Sequence, residues 1–129
     1  MRRASLAFPL LLALASCALF GNGRPDYAVF FEERSATLDP AARDVIAHVA
    51  RRAQESPTAA VQVIGYTDSA GSPQADVTLS QQRAQTVADA LVANGVSPSR
   101  LVRLGRGQTG STAGVMSRRV EIFIAGPTA

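Results

Sequence analysis

The stretch from Val61 to Arg83 constrains the fold of this chain more than any other part of its sequence. It opens with the apolar and β-branched run Val61–Tyr66, which is typical of a buried strand. Turn-forming residues follow, namely Asp68, Ser69, Gly71, Ser72 and Pro73. Helical periodicity then runs from Leu79 to Ala93, so Arg83 lies early on the predicted helix. The stretch therefore places an acid at the exit of a strand and a base on the next helix, where α/β layers often carry binding groups.

The flanking sequence predicts one further helix and three further strands. Tyr27–Phe31 is apolar on both faces and predicts a buried first strand. Asp39 and Pro40 suit the N-cap and the first turn of a helix that runs to about Glu55. Two more strands are predicted at Leu101–Gly105 and Arg118–Ile124.

These elements follow one another in the order β-α-β-α-β-β. Asn94 and Gly95 end the second helix, with Gly95 in the left-handed position after the cap. Helices that connect strands in this way cover one side of a sheet. We expect an α+β domain over residues 27–126, a two-layer α/β sandwich in which two helices pack on one face of a mixed four-stranded sheet. The last two strands are expected to pair antiparallel, and residues 127–129 form a short tail.

The start of the chain has the features of a lipoprotein leader. Arg2 and Arg3 precede the apolar run Leu6–Ala15, which is too short to span a bilayer. Small residues then precede Cys17, the single cysteine of the sequence, as at a bacterial lipoprotein cleavage site. We expect removal of residues 1–16, lipidation of Cys17 and a short tether over 17–26. The alternative is a plain secretory leader that contains a cysteine.

The charge balance argues against a nucleic-acid partner. All 13 basic residues are arginines, and they face 10 acidic residues. Without Arg2 and Arg3, 11 basic residues remain against 10 acidic ones, so the processed chain is nearly neutral. The sequence has no Trp and no row of aromatic residues beside a basic run on which bases could stack.

The sequence offers no residue set for common catalytic or metal chemistry. Gly105–Gly110 spells G-x-G-x-x-G, but no convincing helix follows it to hold a pyrophosphate. One His and one Cys, the latter assigned to a lipid, cannot build a tetrahedral metal site or a Cys–His pair. We expect a protein without enzyme activity, catalytic residues, metal or cofactor.

Three motifs in order resemble the OmpA-like peptidoglycan-binding domains. That family carries Gly-His-Thr-Asp at the end of a strand, then Leu-Ser-x-x-Arg-Ala, and it closes with Asn-Arg-Arg-Val-Glu-Ile. The matching segments here are Gly65-Tyr66-Thr67-Asp68, Leu79-Ser80-Gln81-Gln82-Arg83-Ala84 and Ser117-Arg118-Arg119-Val120-Glu121-Ile122. The resemblance covers about Tyr27 to Ile124.

The resemblance implies a non-covalent site for the diaminopimelate of the peptidoglycan stem peptide. In the family, the matching Asp and Arg grip the zwitterionic end of that residue. A carboxylate suits the ammonium group, and a guanidinium fork suits the carboxylate. Carried over residue by residue, the ligand-binding residues are Asp68, Arg83, Thr67, Asp76, Leu79 and Arg118.

Several departures from the family pattern bear on this site. Asp76 stands where the family has Asn, and an ionised carboxylate cannot donate a hydrogen bond. If Asp76 faces the ligand, nearby negative charge should raise its pKa and oppose binding. Tyr66 replaces the His of the first motif, and Ser117 replaces an Asn after a shortened loop, 108–116. The role of Arg118 therefore stays open between ligand contact and none.

Taken together, these features predict an outer-membrane lipoprotein that faces the periplasm and links the membrane to the cell wall. Its layout resembles the peptidoglycan-associated lipoproteins. The implied partners are peptidoglycan, the outer membrane through the lipid anchor, and Tol-type envelope proteins as candidates. The alternative is an envelope interaction protein whose peptidoglycan site has decayed and which binds a protein partner.

Cys17→Ser tests the predicted anchor. The thioether needs the thiol, so the variant should lose its lipid and appear as an unprocessed or soluble form. Membrane fractionation after a high-salt wash, with the wild-type chain alongside, measures this. A variant that still partitions with membranes would contradict the lipoprotein assignment.

Overall fold

The computed structural model describes residues 23–68, 71–109 and 114–125. The leader, Cys17 and most of the predicted tether lie outside the described residues. The elements are β1 (Tyr27–Phe30), α1 (Pro40–Gln54), β2 (Val61–Thr67), α2 (Pro73–Ala93), β3 (Leu101–Gln108) and β4 (Arg119–Ile124), with short 3₁₀ turns at Pro98–Arg100 and Val115–Ser117. Within these ranges, no helix combines the length and the apolar character that a membrane crossing needs.

The four strands form one mixed sheet in the order β1-β4-β2-β3. β2 pairs with β3 in parallel, whereas β4 runs antiparallel to both β1 and β2. The predicted α+β sandwich is confirmed. The expected pairing of the last two strands with each other is wrong, because β4 inserts between β1 and β2 and leaves β3 at the edge.

β1 is an edge strand and is not buried on both faces as predicted. Val29 points into the core with 1% exposure, but its neighbour Phe30 is 39% exposed. The apolar sequence of β1 suggested a central strand, yet the helices cover only one face of the sheet. On β3, the apolar side chains of Val102 and Leu104 are also partly exposed. They lie on the face of the sheet opposite α2, because successive side chains of a strand alternate between its two faces.

Side-chain caps set the start of both helices. The Asp39 carboxylate accepts a hydrogen bond from the Ala42 amide at 2.7 Å, as the sequence predicted. α2 begins at Pro73, well before the predicted Leu79, because Ser72 caps it and accepts from the Ala75 amide at 3.2 Å. Arg83 therefore lies near the middle of α2 and not early on it.

The C-terminus of α2 has the predicted glycine cap. Gly95 has a φ of +100°, which side chains rarely adopt. The Val96 amide donates to the Leu91 carbonyl at 3.0 Å, and the Gly95 amide donates to the Val92 carbonyl at 2.9 Å. These two bonds form a Schellman motif, which ends the helix and turns the chain back toward β3.

α2 lies unusually close to the sheet because glycines line the contact. A Cβ added to Gly65 would lie 2.0 Å from the Ser80 carbonyl oxygen, and one added to Gly105 would lie 2.5 Å from the Gln81 amide nitrogen. The close approach lets the Ser80 hydroxyl accept a hydrogen bond from the Gly107 amide at 2.9 Å. That amide lies in an irregularity where the register of β2 against β3 shifts.

Gly65→Ala tests the close contact between β2 and α2. The added methyl group would overlap the Ser80 carbonyl, so the helix must shift, and we expect a loss of about 1–3 kcal/mol in the free energy of unfolding, or more. Urea denaturation of the full chain measures it. Gly23→Ala is the control, because a Cβ there meets nothing within 4 Å. Equal stability of the two variants would contradict the packing described here.

Candidate binding site at the exit of β2

The guanidinium of Arg83 is buried and is held by the backbone. Its Nε donates to the Ser35 carbonyl at 2.7 Å, Nη1 to Tyr66 at 3.1 Å and Nη2 to Glu32 at 3.0 Å. Its Cζ also lies 5.3 Å from the ring centroid of Phe31. The side chain joins α2 to the end of β2 and to the connection after β1. The sequence predicted a helix residue free to grip a ligand, and the structure places Arg83 in the interior of the fold.

Asp68 follows β2 directly and lies beside Arg118. Its Oδ2 is 3.6 Å from Nη1 of Arg118, and both side chains are largely buried. The Nε of Arg118 donates to the Phe31 carbonyl at 3.0 Å, and its Nη1 also lies 4.0 Å from an oxygen of the exposed Glu33. The structure thus brings Arg118, whose role the sequence left open, to the predicted acid.

The hydroxyl of Thr67 lies next to this pair in the chain and is fully buried. Among the described residues, no hydrogen-bond partner contacts its Oγ1. A buried polar atom without a partner is unfavourable by about 1–3 kcal/mol, and it is uncommon in folded proteins. A buried hydroxyl without a partner, at the position before Asp68, is a feature expected where a polar ligand binds.

Asp76 is fully buried and both of its carboxylate oxygens are occupied. Oδ1 accepts from Nη1 of Arg34 at 2.8 Å, and Oδ2 accepts from Nε2 of Gln108 at 2.7 Å. The Arg34 hydrogen bond, followed by that of Gln108, lowers the pKa of Asp76 below its ordinary value, and a bond from the Gly71 backbone adds to the effect. The expected rise in the pKa of Asp76 is therefore wrong, because the carboxylate faces donors and not other acids.

Five charged side chains make up what we call the charge cluster: Arg34, Asp68, Asp76, Arg83 and Arg118. Beyond the effect of burial, the other four charges shift the pKa of Arg83 electrostatically. Burial lowers the pKa of the Arg83 guanidinium, Asp68 opposes this most strongly, and Arg118 and Arg34 lower it further while Asp76 raises it. Leu79, the remaining predicted binding residue, is buried on α2 and contributes no charge.

Sequence reasoning missed Arg34 and Gln108. Each lies far along the chain from Asp76, by 42 and 32 positions, so no local pattern connects them. One signal was present. A carboxylate at a buried position of a helix requires a cation or strong donors around it. The sequence alone cannot say which of many arginines supplies that cation.

The arrangement can bind small charged groups. It presents carboxylates and guanidiniums side by side at the carboxyl end of a strand, where binding groups are commonly held. In the described part of the chain, no three His, Cys, Asp or Glu side chains are grouped closely enough to hold a metal ion.

Comparison with known proteins finds relatives of this chain. The probable lipoprotein YiaD of Escherichia coli is 42% identical over 104 residues, which cover 75% of this chain and 48% of that protein. The peptidoglycan-binding protein ArfA of Mycobacterium tuberculosis is 36% identical over 103 residues, covering 74% of this chain and 32% of that protein. The chain thus spans about half or less of the length of these relatives.

A solved structure shows the same fold. The peptidoglycan-associated lipoprotein from Burkholderia pseudomallei superposes with a TM-score of 0.68, covering 75% of this chain and 88% of that one at 21% sequence identity. The family model described as the OmpA family matches residues 30–119. This range includes every element from α1 to β3 and all five residues of the charge cluster. This chain therefore belongs to the OmpA family.

Proposed function

We propose that this chain binds peptidoglycan without covalent chemistry, through the diaminopimelate of the stem peptide. The observation that carries the proposal is the pair of Asp68 and Arg118, whose charged atoms lie 3.6 Å apart at the exit of β2. One charge of each sign matches the ammonium and the carboxylate of an amino-acid zwitterion. The relative ArfA, which is named a peptidoglycan-binding protein, supports the same class of ligand.

Thr67 and Arg83 complete the proposed site. The buried Thr67 hydroxyl has no partner among the described residues and precedes Asp68 in the chain, so a polar ligand group that reaches it would supply the missing hydrogen bond. Arg83 keeps its bonds to three backbone carbonyls. Because its side chain is fully buried, Arg83 contributes to the proposed site through its charge, which adds to the local positive potential.

Asp76 and Leu79 act in this proposal by positioning. The carboxylate of Asp76 is sealed inside by Arg34 and Gln108, so it cannot oppose the ligand directly. Leu79 is buried one turn before Arg83 on α2. Because Asp76 is fully paired, its presence in place of the family's Asn supports an intact site more than a decayed one.

We further propose that a lipid on Cys17 holds the domain at the outer membrane, facing the periplasm, and so links membrane and wall. The relative YiaD is named a probable lipoprotein, and relatives in other bacteria are named outer membrane proteins. A Tol-type envelope protein is the candidate for an additional partner.

Asp68→Ala tests the proposed site. Loss of one member of a charged contact should weaken binding to purified sacculi by about 2–5 kcal/mol. Pulldown of the full chain in mild detergent, with and without free diaminopimelate as competitor, measures this. Asp44→Ala is the matched control, because it removes the same charge from the exposed surface of α1. Unchanged binding by folded Asp68→Ala would contradict the proposal and favour a protein partner.

Asp68 is a better test than Arg83. Arg83 is fully buried and bonds to carbonyls in two other parts of the fold. Arg83→Ala would leave those carbonyls without their donor and would destabilise the whole domain. Weak binding by that variant would not separate a lost ligand contact from a lost fold.

Asp76→Asn tests the positioning role through stability. The pKa of Asp76 is lowered in the folded chain, so its carboxylate stabilises the fold above its unfolded pKa, near 3.8, and this stabilisation is lost as pH falls through the lower folded value. We expect the variant to lose about 1–2 kcal/mol at pH 7, because Arg34 is partly exposed and screened. Urea denaturation at pH 7 and near pH 3 should show the difference shrinking in acid. Equal stability at pH 7 would contradict the pairing.

A further inference from the structure

Arg34 has an unusual backbone and lies in the connection between β1 and α1. Its φ is +51°, and it is the only non-glycine residue with a positive φ in the described part of the chain. Side-chain-bearing residues adopt this region rarely, and such residues concentrate at binding and active sites. The conformation turns the side chain of Arg34 back toward Asp76 on α2.

Asp76 clamps the guanidinium of Arg34, and Gln108 in turn fixes Asp76. Asp76 holds Nη1 at 2.8 Å, and Gln108 holds the other oxygen of Asp76 at 2.7 Å. Gly71 closes over the pair, since a Cβ added there would lie 2.9 Å from Nη2 of Arg34 and 2.9 Å from Oδ1 of Asp76. The position of this cation is therefore set before any ligand arrives.

The clamp buries the negative partner and leaves the positive one open. The side chain of Asp76 is 0% exposed, whereas that of Arg34 is 42% exposed. Arg83 is fully buried and Arg118 is 13% exposed. Of the three guanidiniums in the charge cluster, that of Arg34 is thus the most accessible to an incoming anion. Since a guanidinium has five N–H donors, its bond to Asp76 leaves other donors for a ligand.

We infer that Arg34 is a specificity-determining residue that binds a free carboxylate of the stem peptide and makes this site prefer the free acid to its carboxamide. This inference rests on the proposed function. A carboxylate can accept two parallel bonds from a guanidinium fork. A carboxamide has no charge and has an NH₂ donor in place of one acceptor oxygen, so it keeps at most one of the two bonds to Arg34. Asp76 is the positioning residue that holds the fork.

The test compares three stem tetrapeptides that contain diaminopimelate. One has all its carboxylates free, one is amidated on the free carboxylate of diaminopimelate, and one is amidated on its terminal alanine. Calorimetry with the full chain in mild detergent should show about tenfold weaker binding for one of the two amides. The amide that binds more weakly identifies which carboxylate Arg34 contacts.

Arg34→Gln should bind the free acid about tenfold more weakly and lose the preference, while its affinity for the discriminated amide stays unchanged. Arg34→Lys keeps the charge without the fork and should recover part of the preference. Arg34→Gln with Asp76→Asn removes both charges and leaves no unpaired buried carboxylate, so it should behave like Arg34→Gln while keeping the fold. Arg43→Gln, which removes an exposed charge from α1, is the matched control.

The outcomes separate this inference from the proposed function. If the wild-type chain binds all three peptides equally, or if Arg34→Gln keeps the preference, the inference is overturned and the proposed function stands. If Arg43→Gln weakens binding as much as Arg34→Gln, general attraction replaces a specific contact and the inference is again overturned. If the wild-type chain binds neither these peptides nor sacculi, the proposed function is overturned and the inference falls with it.

Discussion

The candidate site depends on the hydrogen bonds that the buried guanidinium of Arg83 donates to the backbone. A charge in the interior is unfavourable unless donors and acceptors are matched around it. Here three backbone carbonyls, from Glu32, Ser35 and Tyr66, accept its hydrogen bonds. One side chain on α2 therefore ties the end of β2 to the connection after β1. Those two segments carry Asp68 and Arg34, so the bonds of Arg83 also fix the positions of these two residues of the proposed site.

Close packing of α2 against β2 and β3 positions Asp76 and Gln108. Gly65 and Gly105 let the backbone of α2 approach β2 and β3 to contact distance. Ser80 then reaches the irregularity at Gly107. Asp76 lies one turn earlier on the same side of α2 and so reaches Gln108. Two absent side chains on the sheet thus decide which polar groups on the helix can meet the strand ends.

Asp76 and Arg34 change the site together. A carboxylate at a buried position is tolerated because a guanidinium from another part of the chain pairs with it. The charge cluster then holds three guanidiniums and two carboxylates, which leaves one positive charge for an anionic group. Since the carboxylate is inside and Arg34 is at the surface, the pair adds a cation to the surface of the proposed site. From the sequence, Asp76 in place of Asn suggests a weakened binding site. In the structure, its pairing with Arg34 instead adds positive charge to the proposed site.

The elements and their order could be predicted from local sequence patterns. Periodicity, caps and the glycine after α2 depend on neighbours a few residues apart, so Asp39 and Gly95 could be placed from local chemistry. The motifs likewise placed Asp68 and Arg83 at one end of the sheet. Only the tertiary structure decided that β4 lies between β1 and β2, that Arg83 is buried, and that Arg34 pairs with Asp76. These facts depend on contacts between residues dozens of positions apart. The identity of a charged residue does not reveal whether its side chain is solvated or is buried against a backbone carbonyl.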